Sequence, residues 1–127
     1  MEPVFITFEQ VIFAHEESLC RHGGSAGIRD EGLLRSAIHQ PPNDYSYGGA
    51  DLFGIAAAYA FHIAQAQAFL DGNKRTAATV ALVFFELNGV PTTANTAVLY
   101  DAMIGIAGRR LDKPGLAAVF RGLFGEG

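Results

Sequence analysis

The amino-acid sequence predicts an all-α fold, a compact bundle of about six helices with a short extended flap before the third helix. Apolar residues recur at the three- and four-residue spacing of amphipathic helices along most of the chain. Glycine and proline clusters divide the chain into helix-sized segments. Two segments, Leu52–Ala64 and Ala77–Phe85, are apolar on nearly every side and should lie at the centre of the bundle. The 127 residues suffice for one domain, residues 1–127, with its own core.

Composition and charge exclude several classes of protein. Half of the residues are hydrophobic and only 17% are charged, which excludes a disordered chain. The formal net charge of −4 argues against binding to nucleic acid by phosphate neutralisation. The single cysteine, Cys20, cannot form an internal disulfide, which fits a reducing, cytoplasmic environment. Met1–Val4 has neither the basic residues nor the apolar run of a signal peptide.

The first helix should begin after Thr7, because Thr7 and Gln10 have the spacing of a capping box, and should end before Gly23-Gly24. A histidine lies in its apolar face and is either a buried structural residue or a catalyst; its apolar neighbours favour the structural role. That face comprises Phe8, Val11, Ile12, His15 and Leu19.

A short second helix should follow Asp30, which is a suitable N-cap. Its inward residues are predicted to be Leu33, Leu34, Ala37 and Ile38. The next stretch, Gln40–Ala50, is predicted to be irregular because it contains Pro41-Pro42, Asn43-Asp44 and Gly48-Gly49. Tyr45 and Tyr47 alternate there with polar residues, which indicates a few extended residues or a small hairpin. The stretch is either a flap over a site or a surface connection, and the residues alone favour the connection.

The third and fourth helices form the central pair. Asp51 should cap the third helix, which should run to about Gln65. The nineteen uncharged residues Leu52–Leu70 reach the length of a membrane span. They are rich in alanine and include three polar side chains, so a buried core helix is the better interpretation. The fourth helix should run from about Asn73 to Asn88-Gly89, with the inward residues Ala77, Val80, Ala81, Phe84 and Leu87.

Two further helices complete the predicted bundle. One covers about Thr96–Ala107, where Leu99, Ala102, Met103 and Ile106 have helical spacing. The last helix opens at Asp112-Lys113-Pro114, because proline suits a first helical turn. Its inner face is predicted to be Leu116, Val119, Phe120 and Leu123.

The stretch Gln67–Thr76 is a polar island between the two central helices. It reads Gln-Ala-Phe-Leu-Asp-Gly-Asn-Lys-Arg-Thr. A helix that begins at Asn73 leaves its first backbone amides without intrahelical partners. Those amides, the helix dipole, Lys74 and Arg75 would form a phosphate site, and the Asp71 carboxylate suits a magnesium ion that bridges phosphate oxygens. A polar helix N-terminus with a surface ion pair is the alternative, and these arguments leave both open.

This stretch resembles the signature loop of the Fic/Doc family, in which a histidine opens the pattern H-x-F-x-D-G-N-K-R. Lys74 and Ala78 stand where many Fic proteins have glycine and a second arginine, and they indicate the short Doc-like branch. The resemblance covers almost the whole chain and includes Gly27-Ile28-Arg29-Asp30, Asp51-Leu52-Phe53 and Leu87-Asn88-Gly89. It implies a toxin of a toxin–antitoxin pair that acts as a protein kinase on elongation factor Tu, whereas most longer Fic relatives transfer AMP.

The resemblance also implies a role for each residue of the loop. Phe69 would anchor the loop in the core, and Asp71 would hold Mg²⁺. Gly72, Asn73 and the following amides would bind the phosphates of ATP, while Lys74 and Arg75 would also neutralise the charge that develops during transfer. Gln40–Ala50 would be the family flap, which aligns the target segment as an added strand.

Gln67 departs from the family pattern, in which the histidine is the general base that accepts the proton of the target hydroxyl. A glutamine amide cannot accept that proton near pH 7, and general-base help is typically worth about 10²–10⁴-fold. His62, five residues earlier, is no obvious substitute. We therefore expect a Doc-like transferase whose chemistry is crippled at position 67. The alternatives are an inactive Fic-fold module that engages nucleotide or an antitoxin, and a structural helical domain with an incidental loop.

Regulation is expected to come from a second protein. Inhibited Fic relatives carry an internal S/T-x-x-x-E-G/N helix whose glutamate obstructs the nucleotide. Only Glu31 and Glu126 are followed here by glycine or asparagine, and the residues four before them are Gly27 and Gly122. We therefore expect an antitoxin that acts in trans. The other expected partners are a nucleotide and a protein target, and we expect no nucleic-acid or membrane partner.

Overall fold

A computed structural model describes residues 2–92 and 111–125 and, between them, Leu99, Asp101, Met103 and Gly105. Five helices have defined bounds: α1 Phe8–His22, α2 Glu31–Gly48, α3 Leu52–Ala66, α4 Asn73–Leu87 and α5 Lys113–Phe124. The four residues described between α4 and α5 are helical too. No strand occurs in the described part of the chain, so the all-α prediction is confirmed and the helix count is close to the predicted six. The predicted helix Thr96–Ala107 lies mostly outside the described residues.

Side-chain caps begin four of these helices where the sequence predicts. The Thr7 hydroxyl accepts the Gln10 N–H at 3.1 Å, and the Gln10 side chain accepts the Thr7 N–H at 2.8 Å. Three aspartates accept the N–H of the third helical residue in the same way. The pairs are Asp30 with Leu33 at 3.0 Å, Asp51 with Gly54 at 2.8 Å, and Asp112 with Gly115 at 2.8 Å.

Helix α3 lies at the centre of the bundle. It packs against α2, α4 and α5, and α1 packs against α4. The alanines of α3 leave room for neighbouring helices to approach closely, and most of the helix is buried. Burial also raises the pKa of the Tyr59 phenol to about 12, and its oxygen accepts the Ile6 N–H at 2.9 Å. None of the helices in the described ranges has the length and hydropathy of a membrane span. Helix α3 is buried in the core of the bundle, as predicted.

The prediction of an extended flap over Gln40–Ala50 is wrong. Helix α2 continues through Pro41 and Pro42 and ends only at Gly48, with Gly49 as a left-handed C-cap. Prolines remove two intrahelical donors, but long-range contacts hold the distal half of α2 in place. Pro41 is buried, the Tyr45 ring meets the Phe5 ring edge-on at 5.9 Å, and Asp44 pairs with Lys113 at 2.7 Å. Of the three pairs that were predicted to break regular structure, only Gly48-Gly49 ends the helix.

The prediction that two leucines face inward is also wrong. Leu33 on α2 and Leu87 on α4 are 44% and 41% exposed. Both lie within a turn of a helix end, where fewer neighbouring elements can cover a side chain. Most other predicted core positions are buried or partly buried, including Leu99 and Met103 in the stretch before α5.

Candidate functional site

The candidate site begins where α3 ends, at Gln67. This residue has φ 47° and ψ 44°, a left-handed conformation that glycine usually occupies. A non-glycine residue there costs roughly 1–2 kcal/mol, so the surrounding structure must hold it. The Arg29 guanidinium donates to the Gln67 carbonyl at 2.6 Å and fixes this turn from the segment before α2.

The next residues pair with that same segment in a short antiparallel bridge between Ile28 and Phe69. The Ala68 carbonyl accepts the backbone N–H groups of Arg29 at 2.6 Å and Asp30 at 3.1 Å, and the Leu70 N–H donates to the Gly27 carbonyl at 3.1 Å. The bridge holds the loop in an extended course. Among the described residues, this extended pairing lies at Ile28 and Phe69 and not in the region of the predicted flap.

Phe69 anchors the loop in the core, as the family resemblance implies. Its side chain is 2% exposed, and the Asn73 side chain holds its backbone. Asn73 Oδ1 accepts the Phe69 N–H at 3.0 Å, and Asn73 Nδ2 donates to the Phe69 carbonyl at 3.0 Å. These two bonds hold the Asn73 side chain against the loop, and the Asn73 backbone N–H lies at the start of the helix, where it can meet a ligand.

Asp71 directs its carboxylate towards the turn at Gly24 and Ser25. Oδ1 accepts the Gly72 N–H at 2.8 Å, and Oδ2 accepts the Ser25 N–H at 3.3 Å. A β-carbon on Gly24 would lie 2.7 Å from Oδ2, so the carboxylate would have to shift, and the φ of +118° favours glycine at this position. The side chain is exposed and retains lone pairs for a further ligand.

Helix α4 begins at Asn73, as predicted, and is the one helix with defined bounds whose start has no side-chain cap. Its N-cap is Gly72, with φ 76°. The first intrahelical bond is from the Thr76 N–H to the Gly72 carbonyl, so the N–H groups of residues 73–75 precede the helical ladder. These amides and the positive end of the helix dipole favour an anion.

The two predicted cations lie at this helix start. Lys74 is exposed, while Arg75 is partly buried and donates to the Gly23 carbonyl at 3.3 Å. Its Nε is buried and has no hydrogen-bond partner among the described residues, as is also true of the Ser18 and Thr76 hydroxyls. A pocket of about 440 Å³ brings all the predicted site residues together, and it is lined by Ala64, Gln67, Leu70, Asp71, Gly72, Asn73, Lys74 and Arg75.

A larger pocket, of about 550 Å³, lies between α2, α3 and α5 and is a weaker candidate. Its charges are already paired, because the Lys113 ammonium lies 2.7 Å from Asp44 Oδ2 and 3.1 Å from His62 Nε2. Burial and the Lys113 charge lower the pKa of His62, although Asp44 acts in the opposite direction. The bordering starts of α3 and α5 carry aspartate caps, which engage the N–H groups of Gly54 and Gly115 and place a carboxylate at each start.

Comparison with known proteins agrees with the geometry of the smaller pocket. A sequence model of the Fic/DOC family matches residues 5–85, a range that contains the whole loop. The chain belongs to the Fic/Doc family. It is 32% identical over 122 residues to the protein named Protein kinase doc of Escherichia phage P1, a match that covers 95% of this chain and 96% of that protein. It is 37% identical over 106 residues to Toxin Doc of Mycolicibacterium smegmatis, with 79% and 80% covered.

The residues of this Fic/Doc loop fit a nucleotide with one magnesium ion better than a metal held by protein alone. Among the described residues, no group of three or more histidine, cysteine, aspartate or glutamate side chains could hold a metal ion. Asp71 is a single carboxylate beside the uncapped start of α4 and the cations Lys74 and Arg75. Mg²⁺ often binds through one or two carboxylates together with substrate phosphates, which is the donor set available here.

Sequence reasoning missed three residues that shape the Fic/Doc loop. Arg29 holds Gln67, the Gly24 backbone leaves room for Asp71, and His15 reaches the Asp71 carbonyl from α1. His15 is the buried structural histidine that its apolar neighbours favoured, although its partner belongs to the site. The sequence did contain a signal for Gly24, because a pair of glycines after a helix predicts backbone with positive φ. The contacts of Arg29 and His15 span 38 and 56 residues and leave no local pattern.

Proposed function

We propose that this chain is a cytoplasmic Doc-like toxin-type protein that binds ATP–Mg²⁺ and transfers a phosphoryl group, or AMP, to a hydroxyl of a protein target. The observation that carries the proposal is the start of α4. There, a helix start without a side-chain cap, the cations Lys74 and Arg75 and the single carboxylate of Asp71 line one pocket. The similarity to proteins named Protein kinase doc and Toxin Doc supports the proposal, and elongation factor Tu is the first target to test.

Each residue of the pocket has a role in this proposal. The N–H groups of Asn73, Lys74 and Arg75 would donate to phosphate oxygens, and Asp71 would give Mg²⁺ an oxygen ligand. Bound Mg²⁺ would supply charge neutralisation at the phosphates. The Lys74 ammonium and the Arg75 guanidinium would stabilise the negative charge that spreads over the transferred group. Because phosphoryl transfer depends mainly on positioning and such electrostatics, the pocket would retain most of what the reaction requires.

Gln67 is the residue that limits the proposed reaction. Its carboxamide can orient a hydroxyl by hydrogen bonding but cannot accept its proton near pH 7. Gln67→His should therefore raise turnover by about 10²–10⁴-fold, the usual contribution of a general base. Histidine has an ordinary pKa near 6.5, so it would be mostly neutral in the cytoplasm. Nucleotide affinity should change little, because a general base acts in the transition state.

The experiment incubates elongation factor Tu with the native chain or with Gln67→His and with ATP labelled at either the α or the γ phosphate. Lys74 and Ala78 favour γ-phosphoryl over AMP transfer, so label on the target should come from the γ position. Label from the α position would show AMP transfer instead. Gln67→His combined with Asp71→Ala is the matched control and should transfer little of either label.

A binding module is the second candidate, and Gln67 is the observation that favours it. In that case the pocket holds nucleotide, or the protein engages an antitoxin, without turnover. The same experiment separates the two candidates. Absence of label with Gln67→His, while calorimetry shows bound ATP–Mg²⁺ and the target is competent with another kinase, would favour the binding module.

Control by an antitoxin is part of the proposal. Leu70 is 57% exposed at the pocket, and Ile28 is exposed on the neighbouring segment, so a partner could cover the loop by burying apolar surface. Gln67→His should be toxic when it is expressed alone and harmless when it is expressed with a small protein encoded upstream. A folded, nucleotide-bound Gln67→His that is harmless alone would count against this regulation.

A further inference from the structure

His15 is a buried titratable residue that the proposed chemistry does not use. It lies on α1, is 4% exposed, and places Nε2 2.8 Å from the backbone oxygen of Asp71. Its ring stacks on Phe69 with centroids 3.8 Å apart and planes 10° from parallel. A β-carbon on Gly72 would also lie only 3.7 Å from the ring. The imidazole therefore contacts Phe69 and Asp71 of the loop from the side of the core and lies close to Gly72.

The hydrogen bond defines the tautomer of His15. A backbone carbonyl only accepts hydrogen bonds, so Nε2 must carry the proton and donate it to Asp71. In the neutral ring, Nδ1 is then unprotonated. A phenylalanine would keep the stacking on Phe69 but would lose this donor, whereas a glutamine would keep a donor and lose the stacking. The two functions of the ring can thus be separated by substitution.

The Asp71–Gly72 peptide bond transmits this contact to the carboxylate. A trans peptide is planar, so its carbonyl and N–H point in opposite directions. When His15 fixes the Asp71 carbonyl, it also fixes the Gly72 N–H, which donates to Asp71 Oδ1 at 2.8 Å. The orientation of the carboxylate is therefore tied to α1 through a single rigid peptide plane.

We propose that His15 is a positioning residue that holds the Asp71 carboxylate in the orientation required for a magnesium ion. The inference rests on the proposed function, because it assigns Asp71 to Mg²⁺. The proposed role of His15 is narrower than general stabilisation of the fold. Loss of the donor should weaken the part of nucleotide affinity that depends on Mg²⁺ and leave the part that the helix amides and cations supply.

The experiment measures ATP affinity by calorimetry in Mg²⁺ and in EDTA for the native chain, His15→Phe and His15→Gln. Removal of one buried donor should lower affinity in Mg²⁺ roughly five- to tenfold for His15→Phe, with affinity in EDTA unchanged. His15→Gln should recover most of the loss. His22, an exposed histidine at the end of the same helix, provides the matched controls His22→Phe and His22→Gln, which should bind like the native chain.

Three outcomes would overturn the inference. They are an equal loss in Mg²⁺ and in EDTA, an equal loss in both His15 variants, and no loss in His15→Phe. Circular dichroism and thermal unfolding show whether each variant is folded. If His15→Phe does not fold, NMR of the native chain decides the inference.

Nitrogen NMR of the native imidazole at pH 8 tests the geometry without nucleotide. The expected spectrum has a protonated Nε2, an unprotonated Nδ1 and a coupling across the bond to the Asp71 carbonyl. A protonated Nδ1 would overturn the positioning role even if ATP binds. Failure of the native chain to bind ATP–Mg²⁺, with the expected tautomer present, would instead reject the proposed function and with it the link from His15 to Mg²⁺.

Discussion

Two pockets beside α3 use charge in opposite ways. In the larger one, Lys113 pairs with Asp44 and also bonds His62, so its charge is already satisfied. In the smaller one, Arg75 has a buried Nε without a described partner, and α4 starts without a side-chain cap. A structural cluster satisfies its own polar groups, whereas a binding site leaves donors for a ligand. The uncapped helix start beside Lys74 and Arg75, rather than pocket volume, therefore identifies the candidate site.

Substitutions in the smaller pocket provide the sharpest test of this contrast. Asp71→Ala and Arg75→Ala should each weaken ATP–Mg²⁺ binding by about 10–100-fold, because hydrogen bonds to charged groups contribute roughly 1.5–3 kcal/mol. Lys113→Ala, in the larger pocket, should leave the affinity within about twofold. Calorimetry with purified variants measures all three. Native affinity in both Asp71→Ala and Arg75→Ala would remove the site assignment.

Gly24→Ala tests whether the backbone near Asp71 is as tightly restricted as the geometry indicates. The new β-carbon would lie 2.7 Å from Asp71 Oδ2, and φ is +118°. We expect a loss of about 1–3 kcal/mol in the free energy of unfolding, together with weaker Mg²⁺-dependent ATP binding. Gly23→Ala is the matched control, because its φ is +75° but nothing lies within 4 Å. Urea unfolding should show a smaller loss for Gly23→Ala and normal ATP binding; equal ATP binding in the two variants would contradict the close approach.

Lys113→Met breaks the structural cluster at the larger pocket. Side-chain exposures of 30% for Lys113 and 27% for Asp44 make the pair only partly screened. We expect the free energy of unfolding to fall by about 1 kcal/mol, with no effect on nucleotide. The pKa of His62 should rise, because the lowering contribution of the Lys113 charge is removed while Asp44 remains. Proton NMR titration of His62 measures this shift, and an unchanged pKa would contradict the contact.

The pH dependence of stability should carry the signature of the same cluster. The folded chain lowers the pKa of His62 below 6.5, so the unfolded chain binds a proton first as the pH falls. The His62 contribution to stability is therefore complete above pH 6.5, declines below it and levels off below the folded pKa. Urea unfolding from pH 8 to pH 5 should show this decline, and His62→Gln should reduce it. An identical slope in both proteins would exclude His62 as the cause.

The smallest expected effect is that of Gln67→Gly on stability. Glycine would relieve the left-handed strain at position 67, worth roughly 1–2 kcal/mol, but it would also cost roughly 0.5–1 kcal/mol of backbone entropy. We expect a net gain between zero and about 1.5 kcal/mol in the free energy of unfolding, from the difference of these two terms. Gln67→His keeps the strain and should match the native chain. A clear loss in Gln67→Gly would show that the glutamine side chain stabilises the turn.

Residues 40–50 and 67–72 show how far local sequence predicts backbone. Both stretches contain glycine and polar residues, and both were predicted to be irregular. The second is a loop, but the first is helical to Gly48, since Pro41 is buried and Asp44 and Tyr45 have partners on distant segments. Prolines lower helical propensity without deciding the outcome when tertiary contacts compensate.

The sequence by itself determined the helix starts at Thr7, Asp30, Asp51 and Asp112, the buried central helices, and the group formed by Asp71, Lys74, Arg75 and the first amides of α4. All of these depend on interactions within about four residues, which a single sequence displays. Tertiary structure alone decided the helical course of residues 40–48, the left-handed turn at Gln67 and the hydrogen bond from His15 to Asp71. Those features depend on partners 38 to 69 residues away, whose positions no local pattern specifies.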